Sequence, residues 1–176
     1  NKPDERLIER KNLIGICPGA KHFTKRWPKE YFIELGNLFS EQGFITVLFG
    51  GKDDRELCKE ISKNINTSID LSNDDDLFQT AADMKLCKLI VCNDSGLMHT
   101  ACAVGTPVTA IFGSTVQEFG FAPYNNPNLI LENKSLICRP CSHIGRESCP
   151  KKHFKCMKDI YPQSALQQIL QFLNTK

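Results

Sequence analysis

The sequence lacks any long apolar segment. No run of about 18 apolar residues is present, so we expect no transmembrane segment. Residues 1–11 are rich in charge and lack the apolar centre of a signal peptide. We therefore expect a cytoplasmic protein in which residues 1–12 form a linker and residues 13–176 form the folded domain. The length of 176 residues suits one domain or a large half of a two-domain enzyme.

Several local catalytic motifs are absent as well. The sequence contains no Walker A loop, no H-E-x-x-H zinc motif and no nucleophile elbow. It also lacks the G-x-G-x-x-G fingerprint, which disfavours NAD binding. Neither sign of charge dominates, since 22 Lys and Arg residues face 20 Asp and Glu residues, for a net charge of +2. We expect no nucleic-acid partner from that balance, whereas a few well-placed cations would suffice for a small acidic ligand.

Cysteine, by contrast, is abundant, with nine residues. Five lie within apolar patterns and are predicted to behave as small buried hydrophobes: Cys17, Cys58, Cys87, Cys92 and Cys102. The other four, Cys138, Cys141, Cys149 and Cys156, begin with a C-x-x-C pair and fall in a cysteine-rich excursion over residues 138–157. Four thiols can hold a structural zinc ion, but the second pair is spaced loosely. Reduced thiols, or a disulfide, in a surface excursion are the alternative, and we place the excursion away from any ligand site.

Short apolar runs alternate with amphipathic segments along the chain. The predicted strands are Leu13–Cys17, Ile45–Phe49, Ser68–Leu71, Leu89–Cys92, Val108–Phe112 and Leu129–Leu131. The acidic run Asp74–Asp76 is predicted to cap a helix, and a last helix is predicted over residues 164–173. This alternation predicts an α/β fold, a Rossmann-like parallel sheet with helices on both faces. Such sheets bind ligands beyond the carboxyl ends of their strands.

The turn after the Leu89–Cys92 strand has the features of an anion site. Ser95 is predicted to cap the following helix through its hydroxyl, and Gly96 lets a ligand approach the backbone. The free N–H groups and the positive end of the helix dipole favour a negative charge there. His99 lies one helical turn further on, so it can face the same anion. A plain capped helix with a packed histidine is the alternative.

Two further turns should reach the same edge of the sheet. The segment Pro18–Pro28 carries several cations, of which Lys25 or Arg26 could bind a diphosphate. The turn Gly50–Asp54 carries two carboxylates: we predict that Asp53 caps a helix and that Asp54 accepts hydrogen bonds from ribose hydroxyls. Each turn alone could be a solvated loop, but together they predict one crevice.

At these residues the chain resembles glycosyltransferase family 9, the ADP-heptose:lipopolysaccharide heptosyltransferases, and most of all their heptosyltransferase II branch. The resembling segments are Pro18–Pro28, Val47–Asp54, Asn93–Thr115 and Cys138–Met157. The resemblance implies the C-terminal, donor-binding half of a GT-B enzyme. It implies that the donor site is lined by Lys25, Asp94, Ser95, Gly96 and His99, with Asp54 near an acidic residue that contacts the nucleotide.

The resemblance also implies a partner set and a mechanism. The donor would be ADP-heptose and the acceptor the inner core of lipopolysaccharide, reached at the cytoplasmic face of the inner membrane. Transfer would invert the anomeric centre without a required cofactor. The general base would lie in the N-terminal acceptor domain, so we expect no catalytic residue and no transferase activity in this chain alone. Two alternatives stay open: a GT-B transferase or epimerase that uses a UDP-sugar, and a zinc-stapled module that is not an enzyme.

Overall fold

The computed structural model describes residues 1–73 and 75–175. Six parallel strands form one sheet in the order β3-β2-β1-β4-β5-β6. The strands are β1 (Leu13–Cys17), β2 (Ile45–Leu48), β3 (Ser68–Asp70), β4 (Leu89–Asn93), β5 (Val108–Phe112) and β6 (Asn128–Glu132). The order reverses between β1 and β4, which are paired in parallel register, so a crevice opens beyond their carboxyl ends.

Helices cover both faces of this sheet, as the alternation predicts. They are α1 (Lys29–Glu41), α2 (Arg55–Lys63), α3 (Leu77–Met84), α4 (Gly96–Ala103), α5 (Lys155–Lys158) and α6 (Pro162–Asn174). Successive side chains of a strand point to opposite faces. Ile14 and Ile16 therefore join a core beneath α1, α2 and α6, whereas Leu13 and Cys17 join a second core beneath α3 and α4.

The predicted element bounds are correct to within about two residues, and of the capping assignments for α2 and α3 one is confirmed and one is wrong. Asp76 caps α3 as expected, because its carboxylate accepts a hydrogen bond from the Gln79 N–H at 2.9 Å. Asp74 lies outside the described residues. The α2 helix begins at Arg55, with Asp54 rather than Asp53 at its N-cap position. Because two aspartates stand side by side in this turn, the sequence pattern alone could not decide which of them occupies the N-cap position.

Residues 1–12, expected to form a linker, contact the α3 side of the sheet. The Leu7 side chain is buried in the second core, with 1% of its surface exposed. The Asp4 N–H donates to Asp83 Oδ1 at 2.6 Å, and Gln79 Nε2 donates to the carbonyl of Lys2 at 3.0 Å. Burial raises the pKa of Asp83, while the Asp4 and Gln79 hydrogen bonds oppose that rise. The segment therefore belongs to the packed domain.

The cysteines within apolar patterns lie largely where that pattern predicts. Cys17, Cys58, Cys87 and Cys92 are buried free thiols, and Cys102 is half-buried. Burial raises the pKa of Cys87 to about 12, which keeps its thiol protonated and unreactive at neutral pH. In the described part of the chain, none of the helices is both long and apolar enough to cross a membrane.

Leu7→Ala should show that the first residues stabilise the fold. Leu7 is buried, so the substitution should lower the free energy of unfolding by about 2–5 kcal/mol, as for other buried leucines. Urea unfolding followed by circular dichroism measures the change. Ile8→Ala is the matched control, because Ile8 is 53% exposed and should cost little. Equal, negligible effects of both substitutions would mean that the segment is an unattached linker.

Candidate functional site

One buried amide holds two of the predicted turns together. Asn93 is the last residue of β4 and has no exposed surface. Its Oδ1 accepts from the Trp27 N–H at 3.0 Å, and its Nδ2 donates to the Pro18 carbonyl at 2.8 Å. The two bonds attach both ends of the loop after β1 to the end of β4. The cation-bearing loop is therefore fixed beside the start of α4.

A cavity of about 270 Å³ lies between this loop and the start of α4. Five of the residues assigned from sequence line it together: Lys25, Asp94, Ser95, Gly96 and His99. Its other lining residues are Lys21, His22, Phe121, His143 and Ile144. The structure thus brings most of the expected site residues into one concave surface, which we name the anion cavity. Lysine and histidine side chains outnumber its single carboxylate, which favours an anionic ligand.

An ion pair spans the wall of the anion cavity. Lys25 Nζ lies 2.7 Å from Asp94 Oδ2, and the two side chains are 16% and 5% exposed. Thr115 follows β5 and donates its hydroxyl to the same oxygen at 2.8 Å. Asp94 therefore orients Lys25, and Thr115 orients Asp94. Thr115 was not assigned from sequence, although its place beyond the carboxyl end of β5 is a signal that could have found it.

Ser95 lies at the N-cap of α4, but its side chain does not cap the helix. The predicted hydroxyl bond to the first turn is missing within the described residues. Its Oγ is buried and has no hydrogen-bond partner in that part of the chain. The extended backbone of Ser95 (φ −152°, ψ 171°) accompanies this arrangement. Because the first N–H groups of a helix also lack partners within it, the hydroxyl and the α4 backbone can bind one oxyanion.

Asp54 is not among the residues that line the anion cavity. A Cβ atom on Gly19 would come 2.2 Å from the Asp54 carboxylate, so the carboxylate lies directly over the backbone of the β1 loop. Burial raises the pKa of Asp54, an effect that the nearby Arg26 charge opposes. Ionised Asp54 is therefore held at a cost to the fold. Within the described residues it makes no side-chain capping bond to α2.

Arg26, the other cation proposed for a diphosphate, does not line the anion cavity. Its Nε donates to the Ala20 carbonyl at 2.7 Å. It lines a separate cavity of about 330 Å³ beside α1, whose walls are mainly the rings of Phe23, Trp27, Phe32 and Phe154. That cavity also includes the start of α1, but its lining lacks the partnerless serine hydroxyl and the Lys25–Asp94 ion pair of the anion cavity. Of the two cations, only Lys25 is placed to bind an anion there.

A third cavity of about 270 Å³ lies on the β2 side of the crevice. Its lining residues are Gly50, Gly51, Asn73, Asp75, Leu77, Thr80 and Leu97. The two leucines offer an apolar surface, and the Asp75 carboxylate lies over Gly51, where a Cβ atom would come 2.1 Å from its Oδ1. A Cβ atom on Gly50 would lie 2.8 Å from the Asp54 Cβ. Asp54 therefore packs between the turn after β1 and the turn after β2.

The cysteine-rich excursion does not lie away from the crevice, and that prediction is wrong. The Thr24 N–H donates to the Arg146 carbonyl at 3.0 Å, so the excursion folds back onto the β1 loop. His143 and Ile144 consequently line the anion cavity. Sequence patterning missed His143 because the contact joins segments more than a hundred residues apart, and no local periodicity marks it.

The four candidate zinc ligands do not form a metal site in this arrangement. Within residues 1–73 and 75–175, no three His, Cys, Asp or Glu side chains converge closely enough to hold a metal ion. Cys138 Sγ lies 3.9 Å from His153 Nε2. Burial is the first cause that raises the pKa of Cys156, to about 11, and the neighbouring Cys141 and Cys149 add to it. The four thiols are free in this arrangement, and the zinc ion stays an untested prediction.

Known proteins are similar to this chain in both sequence and architecture. A family model described as glycosyltransferase family 9 (heptosyltransferase) matches residues 2–153. Lipooligosaccharide heptosyltransferase 2 of Campylobacter jejuni is 34% identical over 164 residues, covering 90% of this chain and 50% of that protein. Lipopolysaccharide heptosyltransferase 2 of Escherichia coli strain K12 is 31% identical, covering 93% and 47%.

The solved structures agree with these matches. The E. coli ADP-heptose lps heptosyltransferase II superposes with a TM-score of 0.78 at 31% identity, covering 95% of this chain and 48% of that one. A glycosyl transferase family 9 structure from Veillonella parvula gives 0.77 at 26% identity, covering 93% and 46%. The chain spans about half the length of the relatives it matches, and the expected fold, half of a GT-B enzyme, is confirmed. The chain belongs to glycosyltransferase family 9, the heptosyltransferases.

Proposed function

We propose that this chain binds the ADP part of ADP-heptose during transfer of the heptose to the inner core of lipopolysaccharide. The observation that carries the proposal is the convergence of Lys25, His99 and the start of α4 on one anion cavity. The relatives support the donor and the acceptor, since they are named as ADP-heptose, lipopolysaccharide and lipooligosaccharide heptosyltransferases. The acceptor lipid would place the working enzyme at the inner face of the inner membrane.

The diphosphate would occupy the anion cavity. The buried Ser95 hydroxyl has no partner among the described residues, so it is available to a phosphate oxygen. The first N–H groups of α4 point the same way and add the positive end of the helix dipole. Lys25 would exchange part of its contact with Asp94 for the phosphate, while Asp94 keeps the ammonium group in place.

The nucleoside would extend from there toward β2. The cavity by β2 offers a place for the flat base, with Leu77 and Leu97 as apolar walls and Asn73, Asp75 and Thr80 as polar ones. Asp54 packs between the turns after β1 and β2, and a ribose that joined a base and a diphosphate in these cavities would pass close to it. Its carboxylate would accept hydrogen bonds from the ribose hydroxyls. Adenine in this position would distinguish the chain from an enzyme that uses a UDP-sugar.

The chemistry asked of these residues is stabilisation of a leaving group. Breaking the bond between the anomeric carbon and the distal phosphate oxygen leaves an additional negative charge on ADP. Preorganised N–H donors and a fixed ammonium group stabilise such a charge most as it develops in the transition state. Asp94 is already bonded to Lys25 and Thr115, so it is a poor general base. The base that activates the acceptor hydroxyl would come from outside this chain, and the transfer would invert the anomeric centre.

Lys25→Ala should weaken binding of ADP much more than binding of adenosine. The substitution removes a charge-assisted contact to phosphate, each worth about 1.5–3 kcal/mol, or about tenfold to a hundredfold in affinity. Isothermal titration calorimetry with ADP, UDP and adenosine measures the difference. The unaltered chain should bind ADP in the micromolar to millimolar range, on the order of what a half-site allows, and UDP more weakly.

Lys88→Ala is the matched control for Lys25→Ala. It removes the same charge at the opposite end of β4, where Lys88 bonds Asn12. Because removal of Lys25 leaves Asp94 buried without its cation, titrations are run well below the melting temperature of each variant. Equal losses of ADP and adenosine affinity would refute the phosphate role of Lys25. Preferential binding of UDP would favour a UDP-sugar enzyme.

Asp54→Asn should weaken ADP binding without destabilising the empty protein. Burial raises the pKa of Asp54, so its ionised form opposes folding above the folded-state pKa, and a neutral amide removes that penalty. The lost ribose contact should cost about tenfold in affinity. Binding of 2′,3′-dideoxy-ADP measures the effect of the hydroxyls themselves and should be unchanged by the substitution.

Asp53→Asn is the control for Asp54→Asn, because Asp53 is the exposed neighbour in the same turn. Thermal melts at pH 7 should place Asp54→Asn at or above the unaltered protein. The destabilising effect of the charge should fade as the pH falls through the raised folded-state pKa toward the ordinary aspartate pKa, below which the carboxyl is protonated in both states. If Asp54→Asn weakened ADP and its dideoxy analogue equally, the proposed contact between Asp54 and the ribose hydroxyls would be wrong.

A further inference from the structure

The turn Ser142–Arg146, which we name the flap turn, is held to the sheet by a buried arginine. Arg139 is 5% exposed at its side chain and lies just before the turn. Its guanidinium donates to the Thr115 carbonyl at 3.0 Å and to Glu132 Oε2 at 2.9 Å. It also donates to the carbonyls of Phe112, Gly113 and Asn133. The loop after β5 and the end of β6 thus form a rigid base for the flap turn.

The far end of the flap turn is attached to the β1 loop. The Arg146 N–H donates to Thr24 Oγ1 at 2.8 Å, and the Arg146 carbonyl accepts from the Thr24 N–H. Gly145 is buried with φ +111°, and a Cβ atom there would come 2.5 Å from the Cβ of His22 and 3.0 Å from Lys25 Cδ. The flap turn therefore packs on the same side chain that pairs with Asp94.

His143 lies in the middle of the flap turn and faces the anion cavity. Its ring stacks on Phe119 with centroids 4.3 Å apart and an interplanar angle of 18°. The stack fixes the plane of the imidazole and leaves the nitrogens at its edge available for hydrogen bonds. His143 lines the cavity together with Lys25, Ser95 and His99. This wall comes from outside the sheet, opposite the start of α4.

The order of the strands indicates which part of a bound nucleotide would meet each wall of the crevice. The third cavity lies by β2, the anion cavity by β1 and β4, and the flap turn is held on β5 and β6. A nucleoside diphosphate that enters base first at β2 ends its distal phosphate on the β5 side. The flap turn is the wall that the distal phosphate and an attached sugar would meet.

We propose that His143 binds the distal phosphate of a nucleoside diphosphate, with the flap turn as a third wall of the site. The inference rests on the proposed function, because it places the ligand in the same crevice. The imidazole N–H would donate to a distal phosphate oxygen, and its stacking on Phe119 lowers the entropy lost on binding. Lys25 and the start of α4 would contact both phosphates, whereas His143 would contact only the distal one. His143 would therefore distinguish a diphosphate from a monophosphate.

The test compares ADP with AMP by calorimetry on the full chain. His143→Ala should weaken ADP about tenfold and leave AMP within about twofold, since AMP lacks the distal phosphate. His143→Phe keeps a ring to stack on Phe119 but has no N–H donor, so it should lose as much ADP affinity as His143→Ala. His143→Gln restores a donor and should recover part of that loss. A role in packing alone would instead be rescued by phenylalanine.

His153→Ala is the matched control, because His153 belongs to the same excursion and bonds the Lys155 N–H and Cys138 rather than facing the anion cavity. It should leave both affinities unchanged. If the unaltered chain binds ADP and His143→Ala binds it equally well, the role of His143 is overturned while the proposed function stands. If the unaltered chain binds neither ADP nor AMP, both are overturned. Equal losses of ADP and AMP would also contradict a contact to the distal phosphate alone.

Discussion

The site depends on the buried side chain of Asn93. Its amide carries an acceptor and a donor on one rigid plane, and the loop after β1 needs one of each, at Trp27 and Pro18. An aliphatic residue of similar size would fill the space and leave a buried N–H and a buried carbonyl without partners, at a cost of about 1–3 kcal/mol each. Lys25 lies on that loop, so its position relative to α4 follows from Asn93. The pairing of β1 with β4 thus determines where the charged groups of the crevice lie.

Charge balance in the crevice is arranged in a chain. Thr115 donates to Asp94, and Asp94 pairs with Lys25. A lysine without a carboxylate partner would be a mobile cation on a flexible stem, and ordering it would cost entropy when a ligand bound. Paired with a buried carboxylate, it is already ordered. The Asp94 carboxylate lowers the net attraction of the site for a diphosphate. In return, Lys25 is already in a fixed position when the ligand binds.

Local patterns predicted much of this, because the relevant signals are local. Strand periodicity, the glycine turns and the serine before α4 each lie within a few residues, and they predicted that Lys25, Ser95 and His99 would meet in one crevice, where the structure brings them together. The capping role of Ser95 was wrong, because the residue type indicates an N-cap position but not the direction of its hydroxyl. The fold-back of the cysteine-rich excursion could not be predicted, since it depends on Arg139 reaching the β5 loop and on Thr24 meeting Arg146. Such contacts join segments that share no sequence period.

Arg139 also limits which sequences can maintain this crevice. Its guanidinium serves five acceptor atoms at once, on one carboxylate and four carbonyls. A lysine offers three donors around a single nitrogen and cannot reach acceptors spread over that plane. Replacing Arg139 with lysine, a mild change on most surfaces, would here leave several buried carbonyls without a hydrogen-bond donor. At this buried position even the exchange of one cation for another would therefore loosen the whole stretch between β5 and α6.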